Sequence, residues 1–445
     1  MTQDHHPVVV IGAGPIGLAA AAELVDRGLD PIVLEAGPRP AAAVRDWSHV
    51  RLFSTWSELV SPAAARLLEP TGWRRPEGSR YPLGGDWASE YLDPLAAVLG
   101  DRIRLDTRVI GVAKRGRDKV VDSGRDSQPF TVHALDATGA EMRITARAVV
   151  DASGTWATPN PLGGDGYPAT GEHAAADRIS YRIPDLRLPD VRARYAGKRV
   201  AVVGAGHSAL TALVELVAMA GSGTHVTWVL RRGEIGNAFG GGEADQLPAR
   251  GALGRRAEAA VRQGHVDVVT GFRTQEIDKG AGERLVLVGQ DGRRLPEVDE
   301  IIGLTGFRPD LSFLSEVRLA LDVRLQAPVE LAPLIDPNIH SCGTVYPHGV
   351  NELSHPEAGL YLVGMKSYGR APTFLAMTGY EQVRSVVAAI AGDRDAAERV
   401  ELTLPESGVC GGAGVFDEAD ATQGTGGCCG PAEPAVIQIG GALRT

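Results

Sequence analysis

The chain has 445 residues, of which 44% are hydrophobic and 22% are charged, and its formal net charge at pH 7 is −10. This composition is typical of a soluble globular protein of two or three domains, and the acidic balance argues against a nucleic-acid-binding protein. Neither a signal-peptide pattern nor a membrane-spanning run is present, and there are only four cysteines, so we expect a cytoplasmic protein without a membrane partner.

The first predicted element is a strand at residues 8–11, which leads into the turn Gly12-Ala13-Gly14-Pro15-Ile16-Gly17 and then into an Ala-rich helix. In such a turn the glycines permit a tight bend, the approach of a pyrophosphate to the backbone, and close helix–strand packing. A second strand, at residues 31–34, ends at Glu35 and Ala36. The acid is positioned to accept hydrogen bonds from a ribose. The combination predicts a dinucleotide site rather than an ordinary glycine-rich turn.

Residues 47–56 bring two tryptophans, an arginine and several hydroxyl groups close to this motif. Arg51, Ser54 and Trp56 are therefore candidate cofactor contacts that would wall a flavin. An aromatic cluster that packs a long loop explains the same residues, and the sequence leaves both interpretations open.

A mixture of helix and strands is predicted for residues 93–150. The predicted helix is 93–99, and the predicted strands are 102–112, 130–134, 142–146 and 148–150. The last strand leads to Ser153 and Gly154, small residues that suit a backbone lying against a cofactor. From residue 155 to residue 190 the Pro- and Gly-rich sequence predicts a long connection with a hinge.

The opening pattern then returns. A strand ends in Gly204-Ala205-Gly206-His207-Ser208-Ala209, a helix is predicted for residues 210–220, and the next strand ends in Arg231 and Arg232 rather than in an acid. Guanidinium groups cannot accept a hydrogen bond from a ribose hydroxyl, but they pair well with a 2′-phosphate. We therefore predict an NADPH site. The alternative is an NADH site, in which the two arginines only mark the end of a strand in solvent.

The remaining elements predicted are a helix at residues 253–263, strands at 266–270, 285–288 and 299–306, a strand at 359–364, and a helix at 372–391. Proline suits the first position of that last helix. From residue 401 onward the chain is rich in Gly, Ala and Pro, and we expect little regular structure there.

These two nucleotide units, the first ending in an acid and the second in arginines, resemble those of the two-dinucleotide-binding flavoproteins. That superfamily includes the class B flavin-containing monooxygenases and the pyridine nucleotide–disulfide reductases. The resemblance implies an α/β fold of two Rossmann-like, three-layer domains: an FAD-binding domain in two parts (1–190 and 311–398), an inserted NADP-binding domain (191–310), and a flexible Cys-containing tail (399–445).

The resemblance also assigns residues to the two cofactors. The FAD contacts that it implies are residues 12–17, Glu35, Ala36, Val109 beside the adenine, and Ser153, Gly154, Gly364 and Met365 beside the flavin. The NADPH contacts are Gly204, Gly206, His207, Ser208, Arg231 and Arg232.

The sequence departs from these families in three places. A disulfide reductase carries a closely spaced cysteine pair beside its flavin, and no such pair occurs before Cys342. The closing strand ends in Gly364-Met365, where the families have Gly-Asp. Residues 181–209 resemble the run into the NADP motif of class B monooxygenases, but Gly171-Glu172-His173 is a poor match to their usual signature.

Three cysteines lie in the glycine-rich tail: Cys410 and the adjacent pair Cys428 and Cys429. Thiolates are soft ligands that select soft ions, so these residues are candidate ligands for As(III) or another thiophilic ion. The tail resembles those of flavoproteins encoded in arsenic-resistance gene clusters. A tail whose thiols are incidental is the alternative.

We therefore predict an FAD- and NAD(P)H-dependent oxidoreductase that is monooxygenase-like and uses O₂ to oxygenate a small molecule with a soft nucleophilic atom. Lys366 and Arg370 are the candidate cations for developing negative charge on the flavin, with surface charge as the alternative. Cys342 is a candidate flavin-facing thiol or a buried small hydrophobe. A reductase that passes electrons to the tail thiols, a metalloid-binding flavoprotein without turnover, and a homodimer remain open.

Overall fold

The computed structural model describes residues 6–245, 247–338, 347–372 and 374–402. Within these ranges no helix combines the length and the apolar character needed to cross a membrane. The strands are β1 Val8–Ile11, β2 Pro31–Leu34, β3 Ile103–Arg104, β4 Arg108–Lys114, β5 Phe130–Leu135, β6 Glu141–Ala146, β7 Ala148–Asp151, β8 Ile179–Ser180, β9 Arg199–Val203, β10 His225–Val229, β11 Val266–Val269, β12 Thr274–Lys279, β13 Leu285–Gly289, β14 Glu300–Gly303 and β15 Leu360–Leu362.

The α-helices are α1 Pro15–Asp26, α2 Ala42–Asp46, α3 Trp56–Leu59, α4 Pro62–Leu68, α5 Gly84–Trp87, α6 Asp93–Leu99, α7 Pro189–Tyr195, α8 His207–Val217, α9 Pro248–Arg262, α10 Ala332–Ile335, α11 Val350–Leu353, α12 Ala376–Ile390 and α13 Arg394–Glu398.

The first sheet contains five strands in the order β15-β7-β1-β2-β3, and all of its pairings are parallel. Every residue of β1 and β7 is buried, which explains why these strands are continuous apolar runs. Helices α1 and α12 share one hydrophobic core with β1 and β7. Because β15 comes from residues 360–362, the first domain is built from two separate parts of the chain, as the sequence predicts.

The second sheet also contains five parallel strands, in the order β11-β10-β9-β14-β8. Helices α8 and α9 pack against it through a separate hydrophobic core. Strand β8 pairs with β14, although it lies in the segment predicted to be a long connection. The predicted NADP-binding segment, 191–310, therefore leaves out one strand of this sheet.

Two small antiparallel sheets complete the strands: β4-β5-β6 and β12-β13. The strands predicted for residues 130–134 and 142–146 correspond to β5 and β6, which pair as an antiparallel hairpin. The strand predicted for residues 102–112 is wrong as a single element, because β3 joins the first sheet and β4 joins the antiparallel one. Asp106, with a φ of 48°, separates the two.

The last long helix begins later than predicted. Residues 364–368 form a 3₁₀ turn directly after β15, and α12 begins only at Ala376. Helices α8 and α9 begin three and five residues earlier than the predicted starts at 210 and 253. The first three residues of α8 and the first five of α9 include no large apolar side chain, so the periodicity on which the prediction depends is not visible there.

Candidate functional site

The first nucleotide turn, residues 12–17, joins β1 to α1 at the carboxyl end of the first sheet. A Cβ atom added at Gly12 would lie 2.9 Å from the carbonyl oxygen of Ala152, and one added at Gly17 would lie 1.9 Å from the carbonyl oxygen of Gly12. A Cβ added at Gly14 would meet nothing within 4 Å. Two glycines thus hold the turn together, while the third leaves open space beside the start of α1. This arrangement fits a pyrophosphate that lies against the backbone.

Glu35, just after β2, holds this turn from the side. Its Oε2 accepts a hydrogen bond of 2.7 Å from the amide of Ala13, and its Oε1 accepts one of 2.8 Å from the amide of Gly37. Each carboxylate oxygen keeps a further lone pair. The acid predicted to bind a ribose therefore also fixes the backbone of the turn.

The second nucleotide turn, residues 204–209, repeats this geometry at the carboxyl end of the second sheet. A Cβ added at Gly204 would lie 2.2 Å from the carbonyl oxygen of Leu304, whereas one at Gly206 would meet nothing within 4 Å. The indole of Trp228 donates a 2.7 Å hydrogen bond to the carbonyl of Gly204. Ala209, at the place of the third glycine, is fully buried. The turn is shaped to receive a second phosphate group.

His207 is the first residue of α8 and lies beside the open space at Gly206. Burial, followed by the charge of Arg250, lowers the pKa of His207 to about 4, against the opposing effect of Asp245. Its ring meets that of Phe53 edge to face, with 5.4 Å between the centroids. Neutral at pH 7, this imidazole adds no charge to the phosphate site, and it joins the second turn to the segment 47–56 of the first domain.

Arg231 and Arg232 follow β10 and face the same space. The Nε atom of Arg232 is buried and has no hydrogen-bond partner among the described residues. Burial and the neighbouring charge of Arg231 lower the pKa of Arg232. Two adjacent cations, one with an unpaired buried N–H group, form a site suited to an anion.

A cavity of about 760 Å³ connects the two domains. On one side it is lined by the second nucleotide turn, Arg231 and Arg232, and on the other by Trp47, Val50, Met365 and the segment 370–372. Of the predicted site residues, this cavity brings together Gly204, Gly206, His207, Ser208, Arg231, Arg232, Met365 and Arg370.

An aromatic and cationic cluster in the cavity wall is missing from the sequence-based prediction. The rings of Trp156 and Phe307 lie 4.9 Å apart, and the guanidinium of Arg182 lies 3.9 Å from the centroid of Trp156. The indole N–H of Trp156 donates a 2.8 Å hydrogen bond to Asp46 of α2. These residues follow β7, β8 and β14, and only the fold brings them together.

Arg308 is a second residue that the prediction missed. Its Nε donates a 2.8 Å hydrogen bond to Oδ1 of Asn160, and its Nη2 donates a 3.0 Å bond to the carbonyl of Gly166. It lies in the Thr-Gly-Phe-Arg-Pro run after β14. The sequence could have indicated this residue, because it is a cation just after the carboxyl end of a parallel strand, and ligands bind at that edge of such sheets.

Lys366, predicted as a catalytic cation, is completely buried and does not line the cavity. Its Nζ lies 2.6 Å from Oδ2 of Asp151, which is also fully buried, and donates a 3.0 Å hydrogen bond to Oγ of Ser153. The same Nζ lies 4.2 Å from the ring centroid of Phe313. The charge of this lysine is thus neutralised at the end of β7.

The backbone of Gly364 is held by a buried side-chain network. Its amide donates a 2.7 Å hydrogen bond to Oε1 of Gln382, and Nε2 of Gln382 bonds to Ser367 and His348. Gly364 has a φ of 69°, and a Cβ there would lie 3.1 Å from the side chain of Ile16. The closing turn is therefore fixed directly against the first nucleotide turn.

The other residues predicted to contact the flavin cofactor range from fully buried to exposed. Trp56 is fully buried in the core of the first domain, as the aromatic-packing alternative predicts. Arg51 is exposed and donates a 2.8 Å hydrogen bond to the carbonyl of Tyr81. Ser54 is half-buried, Ala36 is exposed, and Val109 lies in β4 opposite Ala134. Gly154 has a φ of 69° beside open space.

The four cysteines, Cys342, Cys410, Cys428 and Cys429, lie outside the described residues. In the ranges that the structure does describe, no group of three or more His, Cys, Asp or Glu side chains is arranged to hold a metal ion.

Comparison with known protein families gives a match over most of the chain. The family described as pyridine nucleotide-disulphide oxidoreductase matches residues 9–330. The match confirms the predicted superfamily and the prediction of an oxidoreductase that uses a flavin and a pyridine nucleotide. Among curated proteins, no relative matches this sequence.

Solved structures with the same fold include both reductases and monooxygenases. Bacillithiol disulfide reductase from Bacillus cereus is 22% identical, with a TM-score of 0.65 over 87% of this chain and 99% of its own. A flavin monooxygenase mutant from Stenotrophomonas maltophilia is 21% identical, with a TM-score of 0.54 over 87% and 98%. The FAD-bound cadaverine monooxygenase from Erwinia amylovora is 15% identical, with a TM-score of 0.59 over 89% and 98%. At these identities the similarity establishes the fold.

Proposed function

This chain belongs to the pyridine nucleotide-disulphide oxidoreductase family, and we propose that it is an NADPH-dependent FAD oxidoreductase that uses O₂ to oxygenate a soft nucleophile. The observation that carries this proposal is the cavity between the domains. It extends from the second nucleotide turn to Met365, so that one space lies next to both proposed cofactor sites.

The first nucleotide turn supplies the FAD site in this proposal. The backbone amides at the start of α1 bind the pyrophosphate beside Gly14, and Glu35 orients the turn while it accepts from the ribose. When bound, FAD supplies the hydride and electron chemistry that no amino-acid side chain provides. The protein residues hold the cofactor at the edge of the cavity, with Gly364 and Met365 on the closing side.

The second turn and its two arginines supply the NADPH site. The open space at Gly206 receives the pyrophosphate, and Arg231 with Arg232 receives the 2′-phosphate. The buried, unpartnered Nε of Arg232 supports this assignment, because an N–H group buried without an acceptor costs free energy that a phosphate oxygen would recover. NADH lacks the 2′-phosphate that these two cations bind in this proposal.

The cavity gives a small molecule access to the space between both cofactor sites. Its wall contains the apolar and aromatic surfaces of Trp47, Trp156 and Phe307, which suit an organic substrate. In the overall reaction NADPH, a proton and O₂ convert a sulfide into a sulfoxide, with NADP⁺ and water as the other products. Amines and trivalent arsenic are further candidate nucleophiles, and the tail cysteines motivate the arsenic candidate.

Product stoichiometry tests the proposal. The FAD-loaded enzyme is supplied with NADPH, O₂ and, in separate reactions, methyl phenyl sulfide, an alkylamine or methylarsenite, and NADPH consumption is compared with the oxygenated product. The proposal predicts product in proportion to the NADPH consumed for at least one of these nucleophiles. NADPH consumption that yields only hydrogen peroxide with all of them contradicts it.

A disulfide reductase is the second candidate, and the family to which the chain belongs favours it. Electrons would then pass to the tail thiols of Cys428 and Cys429, or to a metalloid that they carry. Anaerobic NADPH consumption with cystine or arsenate that is lost in the Cys428→Ser/Cys429→Ser variant supports this candidate. No turnover with any acceptor would leave a flavoprotein that binds a metalloid without reaction.

A further inference from the structure

The cavity between the domains is strongly positive, although the chain as a whole is negative. Among the described residues that line it, a single aspartate, Asp46, stands against six arginines: Arg182, Arg231, Arg232, Arg308, Arg324 and Arg370. The whole chain carries a net charge of −10. Clefts lined by one sign of charge concentrate ligands of the opposite sign. In the proposed function NADPH accounts for Arg231 and Arg232, and it leaves Arg308 and Arg370 without a ligand.

Arg308 and Arg370 reach the cavity from two different parts of the chain. Arg370 follows the 3₁₀ turn that contains Met365, and its backbone amide donates a 2.7 Å hydrogen bond to the carbonyl of Leu325. Arg308 follows β14 and enters the cavity from the second domain. The two arginines therefore come from different domains and line the same cavity.

Both guanidinium groups are oriented by neutral partners. Arg308 donates to Oδ1 of Asn160 and to the carbonyl of Gly166, and Arg370 donates a 2.8 Å hydrogen bond to Oε1 of Gln326. Neither forms an ion pair with a carboxylate within the described ranges. Burial, followed by the charge of Arg370, lowers the pKa of Arg308. Two cations that are close enough to repel one another, and that lack an acid, are electrostatically poised to bind an anion.

Arg324 lies in the same cavity wall, but its guanidinium group does form an ion pair with a carboxylate. Its Nη2 forms a 2.7 Å ion pair with Oδ2 of Asp336, and Asp336 is fully buried. Its charge is therefore balanced by the protein itself, so Arg324 provides a matched control within the same cavity.

We propose that Arg308 and Arg370 bind an anionic group of the substrate, a carboxylate or an oxyanion of similar shape, and thereby place its soft reacting atom beside Met365. The planar fork of a guanidinium matches two carboxylate oxygens. The inference rests on the proposed function, which it extends from any soft nucleophile to one that carries a negative charge. In the proposed function the phosphates of NADPH bind at Gly206, Arg231 and Arg232, so Arg308 and Arg370 stay available for a second anion.

Three sulfides that share one reacting atom and differ in charge test this inference: para-methylthio-benzoate, methyl phenyl sulfide and para-methylthio-benzylamine. The rate constant kcat/KM for sulfoxide formation is measured with the FAD-loaded wild type, Arg308→Gln, Arg370→Gln and the control Arg324→Gln. We expect the carboxylate to be preferred about tenfold or more over the neutral sulfide. Arg308→Gln and Arg370→Gln should each remove most of this preference, whereas Arg324→Gln should keep it.

A binding measurement tests the anion site independently of the oxygenation reaction. The flavin fluorescence of each protein is titrated with para-methylthio-benzoate without NADPH. If no sulfide is oxidised but the carboxylate binds in a manner that depends on Arg308 and Arg370, oxygenation fails and the anion site stands. The inference is overturned if neither readout distinguishes the carboxylate, if Arg324→Gln loses the preference equally, or if Arg308→Gln and Arg370→Gln raise the KM for NADPH instead.

Discussion

Glu35 and the pair Arg231 and Arg232 occupy equivalent positions, each after the second strand of a nucleotide unit. Glu35 accepts backbone hydrogen bonds and keeps lone pairs for a ribose, whereas Arg232 presents a buried N–H group without an acceptor. In the proposed function, this difference in side-chain chemistry separates the site of an unphosphorylated ribose from that of a phosphorylated one. This contrast is visible in the sequence, because the strand-turn-helix pattern fixes which residues follow each strand.

Replacement of Arg232 by glutamine tests the phosphate assignment. Loss of one charge-assisted contact to the 2′-phosphate should raise the KM for NADPH about tenfold or more and leave the KM for NADH nearly unchanged. Arg262→Gln is the control, because the side chain of Arg262 is 76% exposed and pairs with Glu258 on α9. Equal changes with both coenzymes in steady-state kinetics would contradict the assignment.

Lys366 shows where residue-level prediction fails. The sequence places a lysine near the closing strand, which suggests a cation beside the flavin, but Asp151 lies in β7 and far away in the chain. Only the parallel pairing of β7 with β15 brings the two side chains together. A buried charge with a buried partner is first of all a structural requirement.

The Lys366→Met variant separates structure from catalysis. It leaves the carboxylate of Asp151 buried and unpaired, so we expect the free energy of unfolding to fall by about 3 to 5 kcal/mol in urea denaturation. The double variant Lys366→Met/Asp151→Asn should recover much of this loss, because no unpaired charge remains. Unchanged stability together with slower flavin reduction would instead support the catalytic role suggested by the sequence.

At the scale of elements, the two glycine turns are the best-predicted parts of the molecule. Their residues are local in sequence, and their roles follow from the space around each Cβ position. Elements defined by distant partners are predicted less well. Strand β8 has only two residues, and it is recognised as a strand only because it pairs with β14. The strand predicted for residues 102–112 divides between two sheets, and periodicity alone does not reveal its partners.

The glycines of the first turn give a paired prediction. Gly14 has a φ of −75° and open space beside it, so Gly14→Ala should fold normally but weaken FAD binding about tenfold or more, because the methyl group occupies the approach of the pyrophosphate. Gly17→Ala forces a contact with the carbonyl of Gly12 and should cost about 1 to 3 kcal/mol of stability. Flavin fluorescence titration and thermal unfolding measure the two effects. Reversed effects would contradict the assigned roles.

At the scale of the whole molecule, the sequence predicts two nucleotide-binding domains, one inserted into the other, and the fold agrees. The cavity between them is not predictable in the same way. Arg182, Arg308 and Arg370 each follow a different strand or turn, and their meeting depends on how the two domains pack. The sequence thus predicts where the cofactors bind, whereas the arginines that we propose to select the substrate come together only in the assembled structure.

The central claim is that electrons pass from a phosphorylated nicotinamide coenzyme to a flavin held between these domains. Its most direct test is an anaerobic titration of the FAD-loaded protein with NADPH and, separately, with NADH, followed through the visible absorbance of the flavin. We predict that NADPH bleaches the flavin in stoichiometric amount and that NADH at the same concentration reduces it at least about tenfold more slowly. A chain that does not retain FAD, or a bound flavin that NADPH leaves oxidised, would contradict the account.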